Sequence, residues 1–162
     1  MILGSHVSTQ GGYAKAVGRA VEVGCDCLQI FVSPPGRWMV TRQSDKAEPK
    51  LVQRLTKNHN QWRAKALTDK DVAAWLDAFR ESKLTHPIAH ASYLINLASP
   101  KDDLFQKSID ALVVELERGN QLQLEGLVVH PGAFTESSEE EGINRIVDAA
   151  CEALGRVDPG PC

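Results

Sequence analysis

Pro87-Ile-Ala-His90-Ala-Ser-Tyr-Leu-Ile-Asn-Leu97-Ala-Ser-Pro100 reads as a short apolar strand that ends in a histidine, crosses a loop and reaches a helix start. Pro87 to Ala89 is the strand. Ser99-Pro100 offers an N-cap followed by proline at the first helical position, and Ile109, Leu112, Val113 and Leu116 then recur at helical spacing. The same strand-helix unit recurs along the chain. Met1 to Gly4, Cys27 to Phe31 and Gly126 to Val129 read as the other strands. Tyr13, Val17, Ala20 and Val21 form one apolar face, which Gly24 terminates at the C′ position. Thr68-x-x-Asp71 has the pattern of a capping box and precedes Val72, Trp75, Leu76 and Phe79. Ser138-x-x-Glu141 starts a last helix carrying Ile143, Ile146, Val147 and Leu154.

Short strands alternating with amphipathic helices predict an α/β protein, a parallel sheet with helices packed on it. A closed (βα) barrel of eight units takes about 250 residues. This chain of 162 residues holds about four such units. It is therefore either a small open domain or half of a TIM barrel. The tail Val157-Asp-Pro-Gly-Pro-Cys162 is a turn where a fifth strand would start, which favours the half barrel.

Composition sets outer bounds. A charged fraction of 24% and a hydrophobic fraction of 43% are those of a globular chain, not of a disordered one. No apolar run approaches the roughly 20 residues of a membrane span. Met1 to His6 lacks a basic segment followed by an apolar core, so a cytoplasmic protein without membrane association is expected. Cysteines 25, 27, 151 and 162 lack the paired spacing of a structural zinc site and are expected to be reduced thiols. The net charge of −3 is unevenly spread: residues 37 to 65 carry +6, which leaves −9 on the remainder. A basic stretch on an acidic protein can meet a polyanion, although a solvated surface gives the same pattern. Residues 32–55 do not fit the alternation. With Ser33-Pro34-Pro35-Gly36 and Ala47-Glu48-Pro49 they read as a long basic loop.

Three histidines stand where strands end: His6, His90 and His130. Parallel α/β sheets build their sites at the carboxyl edge of the strands, so these side chains are expected to converge. Neutral imidazole suits zinc. Three half-buried histidines bonded only to backbone are the structural alternative.

The strings around these histidines resemble the endonuclease IV family of zinc-dependent apurinic/apyrimidinic endonucleases. The resemblance runs through Gly4-Ser-His-Val-Ser-Thr-Gln-Gly-Gly12, Thr56-Lys-Asn58 with Gln61-Trp62-Arg63, His90-x-Ser-Tyr-Leu-Ile-Asn-Leu97 and Val129-His-Pro-Gly132. It covers nearly the whole chain apart from residues 32–55, as the amino-terminal half of the family's barrel. It implies a TIM barrel with three zinc ions (Zn2+) that hydrolyses damaged double-stranded DNA 5′ to abasic sites, leaving a 3′-hydroxyl and a 5′-deoxyribose phosphate. It further implies that His90 and His130 ligate the first zinc and that Tyr93 enters the DNA at the lesion. By the same match Asn58, Asn60, Trp62 and Arg63 form a DNA-recognition loop, and His6 lines the site.

Two departures stand out. Asn60 occupies the position where the family's loop offers an arginine, and residues 32–55 interrupt the join between Phe31 and Thr56 as an inserted basic loop. The family's remaining carboxylate and histidine ligands lie beyond this chain, so no complete catalytic set is expected and the isolated chain is expected to be inactive. The family is monomeric. A half barrel with open edges is expected either to dimerise or to need its missing half. A sugar isomerase or epimerase-like barrel and a non-catalytic DNA-binding remnant are the competing readings.

Overall fold

The computed structural model describes residues 1–33 and 66–157. Four strands and four helices alternate in it: β1 (Gly4–His6), α1 (Tyr13–Glu22), β2 (Cys27–Phe31), α2 (Asp69–Glu81), β3 (Thr85–His90), α3 (Asp102–Gln121), β4 (Gly126–Val128) and α4 (Glu139–Gly155). The strands form one sheet in the order β1-β2-β3-β4, every pair parallel. Each strand is thus bonded to the next one in sequence, with a helix making each crossover. This is the α/β repeat expected, in four of the eight units of a closed barrel.

The two faces of the sheet differ. Leu28 and Ile30 of β2 and Ala89 of β3 face the helices and are fully buried. They pack with Ala16, Val17 and Ala20 of α1 and with Trp75 of α2. Trp75 buries an indole whose Nε1 donates to the Leu122 carbonyl at 2.8 Å, so the largest core side chain leaves no orphan donor. A second cluster joins Ile109, Leu112, Val113 and Leu116 of α3 to Ala149 and Ala153 of α4. On the opposite face of the sheet, Cys27, Gln29 and Phe31 alternate with the buried residues and are only half-buried. In a closed barrel that face would be the packed interior.

Local signals explain the helix boundaries. Thr68 and Asp71 form a reciprocal capping box at the start of α2. The Ser138 hydroxyl accepts from the Glu141 N–H at 3.1 Å at the start of α4. Gly24 closes α1 with φ of +76°, a left-handed conformation suited to glycine. Several bounds shift: β3 spans Thr85–His90 where Pro87 to Ala89 is expected, and β4 stops at Val128, one residue short. β1 begins at Gly4, because the Leu3 N–H goes to the Asp26 carboxylate at 2.9 Å instead of into the sheet. α3 begins at Asp102, because the Ser99 hydroxyl accepts from the Lys101 N–H and holds a turn ahead of the helix. Arg145 joins α4 to α3, bonding Asp102 at 2.8 Å and lying 4.1 Å over the Phe105 ring.

Among the described residues no helix is long and apolar enough to cross a membrane. Cys25, Cys27 and Cys151 are free thiols. Of the expected inserted loop 32–55, only residues 32 and 33 are among those described.

Candidate functional site at the strand carboxyl ends

β1 and β3 each end on a histidine, His6 and His90, while β2 ends on Phe31. His130 follows β4 by two residues. Parallel register places these ends side by side: Phe31 pairs with His90, and His90 with Val128. Their rings form one cluster. The His90 and His130 centroids are 5.0 Å apart, with Tyr93 at 5.0 Å from the first and 5.7 Å from the second. His6 is farther from His90, at 6.3 Å, and packs on Phe31 at 4.4 Å. Phe31 also touches His90 at 5.4 Å and Tyr93 at 5.6 Å, so an apolar ring fills the centre of the group.

Hydrogen bonds orient the imidazoles. His90 is buried, and its Nδ1 lies 2.8 Å from the Ala91 carbonyl oxygen. A carbonyl can only accept, so Nδ1 carries the proton and Nε2 keeps the lone pair that a cation could use. His6 Nδ1 lies 3.0 Å from Gln29 Oε1, an acceptor that selects the same tautomer. Backbone or amide acceptors behind a ring are the usual support of a ligating histidine.

The loops carrying these rings are fastened to one another. Asn96 Oδ1 accepts from the Ala133 N–H at 3.0 Å, and Asn96 Nδ2 donates to the Ala133 carbonyl at 3.1 Å. The Leu97 N–H donates to the Pro131 carbonyl at 2.8 Å. The loop after β3 and the loop after β4 are therefore zipped together, which sets the spacing of His90 and His130. Gly132 has φ of +102°, and a Cβ there would stand 2.1 Å from Asn96 Oδ1. Only glycine lets this turn lie against the asparagine.

A charged pair on α3 lies beneath. Glu115 Oε1 accepts from the Ser92 N–H at 3.2 Å, while Arg118 donates to the Val32 carbonyl and, at 2.9 Å, to the Tyr13 hydroxyl. Both side chains are buried. Desolvation pushes the Glu115 carboxyl above its usual range, opposed by the Ser33 hydroxyl, the Ser92 N–H and the Arg118 charge. The pair pins the loops after β2 and β3 to the helix behind them.

Of the residues singled out in the sequence, His6, His90, Tyr93 and His130 come together at the strand ends. Asn58, Asn60, Trp62 and Arg63 lie outside the described residues. His86 belongs elsewhere: it sits at the amino end of β3 and meets Glu125 at 2.7 Å. Phe31, Asn96, Glu115 and Arg118 escaped the sequence reading. Phe31 carried a signal, since it ends the second strand where histidines end its neighbours. Asn96, Glu115 and Arg118 carried none, because the groups that place them, at Ala133, Ser92, Val32 and Tyr13, are distant in sequence.

The donor set tests metal binding directly. His90 and His130 offer two adjacent imidazoles, and His6 stands off. Among the described residues no group of three or more His, Cys, Asp or Glu side chains could hold a metal ion. A catalytic zinc takes three protein ligands and keeps a fourth position open. The described residues therefore fall short of a catalytic zinc site.

A parallel sheet of sequential βα units with its polar rings at the carboxyl ends of the strands defines half of a TIM-barrel protein of the strand-end-site class. The chain belongs to the endonuclease IV-like apurinic/apyrimidinic endonuclease family: residues 17–158 match the family described as xylose isomerase-like TIM barrel. A probable endonuclease 4 of Halothermothrix orenii is 35% identical over 99% of this chain and 49% of its own length. One from Chloroflexus aggregans is 40% identical over 93% of this chain and 44% of its own. The crystal structure of endonuclease IV from Thermus thermophilus superposes with a TM-score of 0.72 at 30% identity, covering 98% of this chain and 48% of that one. A D-psicose 3-epimerase from Clostridium cellulolyticum gives 0.59 at 14% identity over 96% of this chain, a likeness of fold alone. The chain spans about half the length of the curated relatives it matches.

Proposed function

We propose that this chain is the amino-terminal half of an endonuclease IV-type DNA-repair enzyme, carrying two zinc-binding histidines and the aromatic side chain that senses an abasic site. The complete reaction is hydrolysis of the phosphodiester 5′ to the lesion, giving a 3′-hydroxyl and a 5′-deoxyribose phosphate. Zinc in such a site supplies a nucleophilic hydroxide and neutralises charge on the phosphate. The pairing of His90 with His130 at 5.0 Å, each on its own strand end, is the observation that carries this reading. His90 and His130 would hold the cation through ring nitrogens, with the Ala91 carbonyl fixing the tautomer of the first. Tyr93 is 54% exposed beside them and offers its ring face to the gap left by a missing base. Asn58 to Arg63 and the basic residues of the 32–55 segment grip the duplex backbone, with Asn60 giving up the family's cationic wedge. Among the described residues no third metal ligand joins the two histidines, so the chain alone is expected not to cut.

Two measurements on the purified chain test this reading. Zinc titration against a chromophoric chelator should show weak binding, abolished in His90→Ala and in His130→Ala. Anisotropy with a duplex holding one abasic analogue should show preference over the intact duplex, weakened about tenfold or more in Tyr93→Ala. Equal affinity for both duplexes, or zinc binding that survives both histidine substitutions, would refute the assignment. The epimerase-like alternative predicts turnover of a ketose and no preference for the lesion.

A further inference from the structure

α3 holds the loops after β2 and β3 at three polar points, Ser108, Glu115 and Arg118, and all three side chains are buried. Taking a carboxyl and a guanidinium out of water is costly, and well-packed apolar residues in their place are often no less stable. Stability therefore does not account for Glu115 and Arg118. What they hold does.

Glu115 holds the start of a turn. Its Oε1 accepts from the Ser92 N–H at 3.2 Å. The Ser92 hydroxyl accepts from the Leu94 N–H and the Ser92 carbonyl from the Ile95 N–H, each at 3.3 Å. Tyr93 thus stands inside a turn whose first residue is tied to α3. The turn is tied again just past its end, where the Asn96 N–H donates to the Ser108 hydroxyl at 3.0 Å. Ser108 and Glu115 lie two helical turns apart, about 10 Å along the axis. Tyr93 is carried on an arch with both feet on one helix.

Arg118 holds the other side. It donates to the Val32 carbonyl and, at 2.9 Å, to the Tyr13 hydroxyl, which donates in turn to the same carbonyl at 2.9 Å. Val32 directly follows Phe31, whose ring meets Tyr93 edge to face with centroids 5.6 Å apart. Two residues of α3 therefore fix the backbone immediately before Tyr93 and immediately after Phe31. His90 is secured separately, since the Ala91 N–H donates to the Val128 carbonyl at 2.9 Å.

From this juxtaposition we propose that Glu115 and Arg118 are positioning residues for Tyr93, and that by holding its ring against Phe31 they set the preference for an abasic over an intact duplex. Both rings are then in place before DNA arrives, and no binding energy goes into ordering them. This role rests on the reading of Tyr93 as the side chain that meets the lesion, and deepens it.

Three substitutions at Glu115 and two readouts test it. Glu115→Leu removes the acceptor, Glu115→Asp draws the carboxyl back by one methylene, and Glu115→Gln keeps an oxygen for the Ser92 N–H. For Glu115→Leu and Glu115→Asp, anisotropy on the full chain should show the abasic preference lowered about fivefold. Affinity for the intact duplex, and for zinc by chelator titration, should stay the same. Glu115→Gln should restore the wild-type ratio. In a Tyr93→Ala background neither Glu115→Leu nor Glu115→Asp should add a further loss. The second readout needs no DNA. The chain has two tyrosines, so fluorine NMR of the 3-fluorotyrosine-labelled chain, assigned with Tyr93→Phe, reports each ring separately. In Glu115→Asp the Tyr93 resonance should move towards its position in the denatured chain while that of Tyr13 holds. Arg118→Lys, which keeps the charge and loses the fork, should move both. An unmoved Tyr93 resonance, a Glu115→Gln no better than Glu115→Leu, or equal losses with and without the Tyr93 ring would overturn the positioning role. So would a Tyr13 resonance that moves equally in Glu115→Asp, the mark of a general loosening. A Tyr93 resonance that responds in a chain with no abasic preference would uphold the positioning and overturn the lesion reading instead.

Discussion

Asn96 spans two loops whose sequence separation hides their contact. Its amide serves the Ala133 N–H, the Ala133 carbonyl and the Ala98 N–H, while its own N–H donates to the Ser108 hydroxyl at 3.0 Å. Asn96→Ala removes these partners from backbone groups and should cost about 1–3 kcal/mol in unfolding free energy by denaturant titration. Gly132→Ala attacks the same junction by collision and by strain at positive φ, with an expected loss of about 1–3 kcal/mol. Under the proposed function either change should weaken zinc binding without touching His90 or His130, because their spacing depends on the clasp. Glu115 makes a different prediction. Burial raises its pKa, so the folded chain keeps the proton at pH values where the unfolded chain has lost it. Its contribution to stability is therefore full below the ordinary carboxylate range and is lost as pH rises through the raised pKa. The difference in stability between the wild-type chain and Glu115→Gln should fall with rising pH across that window and be flat on either side.

At the scale of the element, local chemistry and packing contribute in different proportions. α2 depends on its cap: Thr68→Ala, which breaks the reciprocal bonds with Asp71, should cost about 1 kcal/mol on thermal unfolding. Those signals were legible because they are local. β2 was legible to the residue, and the Trp75 face of α2 was found as core, since the alternation and helical spacing there agree with what covers them. β1 was displaced because its start is decided by Asp26, a residue of another segment, and α3 because Ser99 spends its hydroxyl on a turn. On α4, Ile143, Ile146, Val147 and Leu154 read simply as the apolar residues of the helix, whereas the structure packs Ile146 on the core and leaves the other three exposed. Periodicity reports which residues are apolar. It does not report whether anything covers them. The same limit hid Asn96, Glu115 and Arg118, while the histidines were readable because strand ends are.

The sequential strand order also has a consequence for synthesis on the ribosome. Each strand bonds only to the one made just before it, so the sheet can be extended in the order of translation. The exception is Trp75, whose indole waits for the Leu122 carbonyl, made 47 residues later. Until α3 has left the exit tunnel, the early units hold an open core with an unmet donor at its centre. The nascent chain should therefore resist protease in one late step instead of four graded ones.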